Sequence, residues 1–239
     1  MRIDRLRPVT RFRATTIAFF SVTGLVVLAG ILTAWGWTNV DALLVSGPRL
    51  GVVITTAIVF VAAMFYVPPN ALSTGRIDAH VRRQMIMPVF AGIAMTAVLL
   101  VSPFTDQRQT LGIPGGETLR WFGLSLHVVG AWFSAWGPVH LGREFSIFAT
   151  IQDDHRLVTD GPFAIVRHPR YFGFAAWAVG AALSFASILG LLFALAIVGL
   201  MIWRLLDEER VLRAEFGDAW LAYRKRTPAL VPSWRSRWP

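Results

Sequence analysis

The chain has 239 residues, 55% hydrophobic and 15% charged, with mean hydropathy +0.55 and a formal charge of +9. A soluble domain averages roughly 45–50% apolar and ~25% charged residues, so the composition excludes an ordinary soluble globule and points to a polytopic, all-α membrane protein. The absence of cysteine excludes disulfides, thiolate catalysis and Cys-ligated metal centres. The positive charge fits arginines that flank membrane spans and face anionic lipid, without any nucleic acid.

In chain order, a basic arm comes first, over residues 1–14, with Arg2, Arg5, Arg7, Arg11 and Arg13. Apolar runs near the ~20 residues that cross ~30 Å of hydrocarbon as a helix then predict six spans: 15–37, 50–68, 84–103, 119–141, 170–185 and 188–203. The first run is too long for the core of a signal peptide and lacks a small-residue cleavage site, so it reads as a span. Residues 15–118 form a scaffold of three spans, and 119–239 form the unit that carries chemistry. The loop Gly112-Ile113-Pro114-Gly115-Gly116 opens no strand–helix unit, so it reads as turns rather than a phosphate cradle. His127 lies inside the fourth span and does not share a helix face with His140; it reads as a hydrogen-bonded packing residue, with His80 and His140 interfacial. No pair of histidines has metal-ligand spacing, and no metal site is expected. The break at Phe185-Ala186-Ser187 predicts a tight turn, making the last two spans a hairpin. In it, Ala176, Gly180 and Ser184 would face Gly190, Ala194 and Gly199.

The ends of that hairpin meet on one side of the bilayer, and each carries a polar cluster. At one end, Arg167-His168-Pro169-Arg170-Tyr171 starts a helix. Pro169 suits the first helical position and His168 the cap. Free N–H groups there, with Arg167 and Arg170, favour a carboxylate or phosphate. The turn Asp160-Gly161-Pro162 folds His155-Arg156-Leu157-Val158 back toward it. Leu157, Val158 and Phe163 could line a slot for a flat ring. At the other end, Arg204 and Glu208 are four apart and share a helix face. Leu212, Phe216, Trp220 and Tyr223 continue that stripe as an amphipathic cytoplasmic helix. Glu209 points about 100° away and reads as solvated. The Arg204–Glu208 pair reads either as a weak intrahelical ion pair or as two contacts facing a polar pocket.

Five short motifs stand in order: Leu141-Gly142-Arg143-Glu144-Phe145-Ser146, His155-Arg156-Leu157-Val158-Thr159, Gly161-Pro162-Phe163, Arg167-His168-Pro169-Arg170-Tyr171, and Glu208-Glu209 with Phe216-Gly217 and Tyr223. Together they resemble the isoprenylcysteine carboxyl methyltransferase family and its bacterial relatives, themselves similar to phospholipid methyltransferases, over about residues 140–232. The resemblance implies an S-adenosylmethionine site at the cytoplasmic face. His155, Leu157, Val158, Gly161, Phe163, His168, Tyr171 and Glu208 would hold the cofactor. Arg204 would face a lipophilic substrate, and Arg204 and Glu208 would serve catalysis. Phe163 stands where the family often has Tyr, and Glu144-Phe145 where it more usually has Asn-Trp. Two other readings stay open: a sterol reductase-like enzyme using NADPH, whose family shares an Arg-His-Pro-x-Tyr segment, and a non-enzymatic membrane protein of the same fold. No obligate protein partner is implied; the expected partners are the lipophilic substrate and membrane lipids.

Orientation follows from the basic residues. All but Arg49, Arg108 and Arg120 of the 23 fall in the arm, the second and fourth loops and the tail, all on one side. The positive-inside rule puts that side, and both termini, in the cytoplasm, with the plasma (inner) membrane as the expected location. A reporter fused after Pro239 should therefore report a cytoplasmic environment, and one inserted near Gly115 an external one. A cytoplasmic signal at Gly115 would overturn the six-span topology.

Overall fold

The computed structural model of the protein describes residues 7–66, 86–142, 145 and 156–232, with the backbone alone over 7–13. Seven α-helices account for most of these residues: α1 (Arg7–Trp35), α2 (Val40–Val45), α3 (Gly47–Tyr66), α4 (Met87–Gln107), α5 (Gly116–Leu141), α6 (Pro169–Ser184) and α7 (Ile188–Arg226). Two 3₁₀ turns, Trp37–Asn39 and Gly161–Ala164, precede α2 and α6. Among the described residues there is no strand, only an isolated bridge between Gly112 and Ser187. Helix α1 starts inside what the sequence reading took as the basic arm, and the short α2 was not foreseen.

Four segments are long and apolar enough to cross a membrane: Ala14–Trp35, Gly47–Phe65, Met87–Gln107 and the helix Ile188–Arg226. Their outward faces are apolar, as lipid requires: Phe19, Leu25, Ile58, Phe65, Phe90 and Leu195 are exposed. The protein is thus an integral membrane protein. Helix α6 has 16 residues, ~24 Å at 1.5 Å per residue, and is shielded by its neighbours along most of its length. Helix α5 shows Trp121, Phe122, Val128 and Trp132 to the outside.

Helices α5 and α6 make the most extensive helix contact of the fold. Four glycines explain it. A Cβ on Gly130 would lie 2.2 Å from the backbone nitrogen of Trp177, and one on Gly123 2.4 Å from that of Ser184. Reciprocally, a Cβ on Gly173 or Gly180 would lie 2.3 Å from the backbone nitrogen of Ser134 or His127. The backbones touch because no side chain stands between them, as in small-residue seams in lipid. This corrects the expected hairpin seam. Gly180 serves α5 rather than α7, Gly190 packs on Ser102 of α4, and Gly199 meets nothing within 4 Å. His127 sits in the α5–α6 seam. Its Nδ1 is 2.8 Å from the Trp177 carbonyl oxygen, and its Nε2 accepts from Trp177 Nε1 at 2.9 Å. A neutral ring protonated on Nδ1 satisfies both, which matches its reading as a packing residue.

The turn between α6 and α7 forms where expected. Ala186 takes φ +46°, and the Ser187 hydroxyl accepts the Gly190 N–H at 2.9 Å, a helix N-cap. Nearby, Asp106 ties three helices together. Arg49 of α3 reaches it at 2.6 Å and Arg120 of α5 at 2.7 Å. Arg120 also donates to the Ser184 carbonyl of α6 at 3.0 Å. This buried cluster pins the end of the bundle opposite the polar clusters.

Helix α7 runs unbroken from Ile188 to Phe216, ~44 Å at 1.5 Å per residue, longer than the ~30 Å of hydrocarbon, so its C-terminal part stands outside the membrane. It breaks at Gly217, which takes φ +49° and ψ −121°, and the single amphipathic stripe predicted through Tyr223 is interrupted there. Trp220 and Tyr223 are buried, whereas Leu212 and Phe216 are only partly so. A Gly130→Ala variant should lose about 1–3 kcal/mol, the usual cost of overpacking, and melt earlier in detergent. Gly199→Ala, with open space around it, should melt like the parent. Equal melting of the two variants would refute the α5–α6 seam.

Candidate active site

The residues around His168 come together from three elements. Helix α6 begins with His168 as cap and Pro169 at the first position, as the sequence predicts. The amide groups expected to be free for an anion are mostly taken, however. The N–H of Arg167 donates to the Pro228 carbonyl at 2.8 Å and that of His168 to Ala229 at 3.0 Å. The N–H groups of Tyr171 and Phe172 both return to the His168 carbonyl. The chain after α7 is therefore laid along the segment before α6, and anion recognition at this end falls to side chains.

The side chains divide into two groups. In the first, Arg204 Nε donates to the Tyr171 hydroxyl at 2.7 Å, and that hydroxyl donates to Glu208 Oε2. Arg204 and Glu208, one turn apart on α7, thus meet through a hydroxyl supplied by α6. The His168 ring lies parallel to Tyr171, with centroids 5.6 Å apart. In the second group, Arg167 pairs with Glu209 and donates to the carbonyls of Arg224 and Thr227. Its guanidinium lies over Trp220, 5.6 Å from the ring centroid. Tyr223 donates to the Phe163 carbonyl at 2.7 Å. This second group clamps the polypeptide after Gly217 onto the start of α6.

Glu209 is therefore not the solvated residue expected from its helical angle, because the chain beyond Gly217 and the start of α6 fold over it. Burial opposes its ionisation, but the His168 ring and the Arg167 guanidinium outweigh burial and hold its carboxyl at about 2. His168 Nε2 lies 3.4 Å from Glu209 Oε1, off the line of a hydrogen bond, and this buried nitrogen has no hydrogen-bond partner.

A cavity of about 70 Å³ opens among Phe163, Arg167, His168, Arg170, Tyr171, Arg204 and Glu208, closed by Gly137, Pro138 and Leu141 at the α5 end and by Phe145 beyond it. These seven residues, all singled out from sequence, therefore line one space. Leu157 and Val158 are partly buried but form no part of its wall. Gly161 has φ +56°, and a Cβ there would lie 2.5 Å from the His140 ring, so it lets the loop lie against α5. His155, Arg143 and Glu144 lie outside the described residues. A second cavity, about 400 Å³ and almost wholly apolar, lies among α1, α3, α4, α5 and α6. It shares Pro138, Phe145 and Arg170 with the first. The sequence marks Arg170 as a cation at this helix start but shows neither this cavity nor the Arg167–Glu209 clamp. The apolar space is built from residues distant in sequence, and no periodicity of a single helix reveals it.

The fold and site define a helical integral membrane protein whose polar cavity sits at the end of an apolar one. A family model described as the isoprenylcysteine carboxyl methyltransferase (ICMT) family matches residues 123–214, from mid-α5 to just before Gly217. Protein-S-isoprenylcysteine O-methyltransferase of Schizosaccharomyces pombe is 36% identical over 107 residues, 44% of this chain and 45% of the relative. Its counterpart B in Arabidopsis thaliana is 30% identical over 140 residues, 56% of this chain and 71% of the relative. The chain thus spans less than half of the yeast relative. The solved eukaryotic intramembrane Ras methyltransferase ICMT overlays 95% of each chain, at 15% identity and a TM-score of 0.46, too loosely for residue-level comparison. The chain belongs to the isoprenylcysteine carboxyl methyltransferase family.

Removing the Glu209 carboxylate leaves the buried Arg167 without its ion partner, a larger loss than removal of a surface charge. Glu209→Ala should lower the melting temperature and speed proteolysis after Gly217. Glu215→Ala, an exposed position on the same helix, should do neither. Identical behaviour of the two variants would remove the clamp.

Proposed function

We propose that this chain is a membrane methyltransferase that uses S-adenosylmethionine and methylates a lipophilic substrate, with a carboxylate as acceptor, at the cytoplasmic membrane face. The observation that carries this reading is adjacency. A polar cavity containing a tyrosine-bridged Arg204 and Glu208 opens beside an apolar cavity large enough for a lipid tail. The relatives, named as O-methyltransferases of isoprenylcysteine, support the same class of reaction.

The residues present fit the proposed cofactor. It carries a carboxylate, an ammonium, a sulfonium and an adenine ring. His168 Nε2 is a buried polar atom without a hydrogen-bond partner, suited to a polar group of a ligand. Glu208 supplies the negative charge that a cationic ligand requires, and Phe163 offers an aromatic wall. The family resemblance adds Leu157, Val158, Gly161 and His155 from the preceding loop. When bound, the cofactor supplies an electrophilic methyl group.

The chain's own residues then need to do little acid–base chemistry. A carboxylate acceptor is already a nucleophile, so what matters is alignment and exclusion of water. The Tyr171 hydroxyl fixes Arg204 and Glu208 relative to each other. Glu208 faces the cofactor's positive part, and Arg204 orients the acceptor. Pro138, Leu141 and Phe145 wall the site with apolar surface.

Calorimetry on the detergent-solubilised protein tests the reading. S-adenosylmethionine should bind and NADPH should not. Either His168→Ala or Glu208→Gln should weaken binding by about tenfold or more, the worth of a hydrogen bond to a charged group. Arg204→Lys should keep the affinity and lose turnover, because lysine lacks the planar fork that grips a carboxylate. Unchanged affinity in both His168→Ala and Glu208→Gln would place the cofactor elsewhere.

A further inference from the structure

Three spaces meet at Arg170. Among the described residues it alone borders the polar cavity, the apolar cavity and a third space of about 100 Å³ beside Met87, Met201 and Arg204. Its guanidinium lies over two rings, 5.2 Å from the centroid of Phe145 and 5.7 Å from that of Phe174. Those rings stand at different boundaries. Phe145 borders the polar and apolar cavities, whereas Phe174 borders the apolar cavity and the third space. Between the polar and apolar cavities, the described residues common to both walls are Pro138, Phe145 and Arg170. Pro138 is fixed in the backbone of α5, and Phe145 is buried. Arg170 is the long, jointed side chain of the three.

We propose that the Arg170 side chain is a gate, closed on Phe145, that a lipophilic acceptor opens to lie with its reacting group in the polar cavity and its tail in the apolar one. Seated on both rings, the guanidinium bars the neck beside Pro138. Swung off Phe145, it keeps Phe174, which also borders the third space that receives it. Arg204 borders that space too, and its like charge makes the move uphill. Parting a guanidinium from one aromatic face costs a factor of roughly 2 to 30 in population. The open position is therefore the minor one, but it is within reach of a ligand that binds it better. An entering tail supplies that preference, because it covers the Phe145 ring with apolar surface in place of the cation.

The gate deepens the methyltransferase reading and rests on it for the identity of what passes. Methyl transfer needs an acceptor aligned in a site closed to water. A neck that stays shut until a tail enters keeps the two cavities apart when no acceptor is bound. The Phe145–Arg170 pair then selects acceptors that are slim where the tail joins the reacting group.

The chain has no cysteine, so one introduced thiol reports passage through the neck. Ser134 stands one turn before Pro138 on α5 and borders the apolar cavity but not the polar one. The probe is maleimidohexanoate, whose uncharged maleimide can enter the apolar cavity while its carboxylate stays in the polar one. Its rate of reaction with Ser134→Cys is measured on the full chain in nanodiscs of zwitterionic lipid, and follows the open fraction. In that background, Arg170→Ala and Phe145→Leu should each speed labelling about 3- to 30-fold. Arg170→Lys, which can still rest a cation on the ring, should speed it less. A thiol at the exposed Ala214, as Ala214→Cys, should react alike with or without these changes. Unchanged rates in both Arg170→Ala and Phe145→Leu would overturn the gate. So would slower labelling in Arg170→Ala, which would make the arginine an attractor of the anionic probe. Parent labelling at Ser134→Cys as fast as at Ala214→Cys would show no barrier and overturn it as well. If Arg170→Ala does not fold, Phe145→Leu and Arg170→Lys decide. Faster labelling in the variants of a protein that binds no S-adenosylmethionine would leave the gate standing and sink the methyltransferase reading; cofactor binding with unchanged labelling would sink the gate alone.

Discussion

In lipid, helices gain nothing by hiding apolar surface from one another, so close packing and satisfied polar groups must hold them together. The direct backbone contact of α5 with α6 meets that requirement. Gly123 and Gly130 on one helix and Gly173 and Gly180 on the other let the two backbones touch where they lie. His127 and Trp177 close two hydrogen bonds across it. The seam sets the height of α6 against α5 and brings Pro169 up against Gly137. The small cavity is the space left at the end of that seam. Its other wall arrives because the Ser187-capped turn sends α7 back along the bundle, presenting Arg204 and Glu208 to Tyr171.

The two ends of the bundle treat charge differently. At the far end, Asp106 is gripped by Arg49 and Arg120, and the spare donors of Arg120 reach a backbone carbonyl. That network is closed, as buried ionic groups need to be if they are not to cost stability. At the near end the accounting is more open: among the described residues His168 Nε2 lacks a hydrogen-bond partner, and Arg170 lies over the Phe145 and Phe174 rings without a hydrogen bond. Polar groups left open at one end and satisfied at the other are what a ligand site requires, since a ligand must supply what the fold withholds.

The adjacent glutamates on α7 divide their work for a geometric reason. Glu208 faces α6 and the cavity, where a hydroxyl meets it. Glu209, about 100° round the helix, faces the returning chain and neutralises Arg167. Gly217 makes this possible, because its left-handed φ turns the chain so that Trp220 and Tyr223 cover the start of α6. The clamp therefore holds the segment that presents His168 and Tyr171, and its own Arg167 contributes to the cavity wall.

Much was legible in the residues alone. Apolar run length decided that the chain is a helical membrane protein, because hydrocarbon thickness demands it. Pro169 marked a helix start and Ala186 a tight turn, since both are local backbone chemistry. The spacing of Arg204 and Glu208, set by 3.6 residues per turn, placed them on one face. Contacts between segments far apart in sequence were not legible. Gly180 could pack against either neighbouring helix, and only the assembled bundle chose α5. Glu209 looked solvated because helical angle describes one helix, not what folds over it. The apolar cavity exists only where five helices fail to fill the space between them. That is a property of the packing and of no single segment.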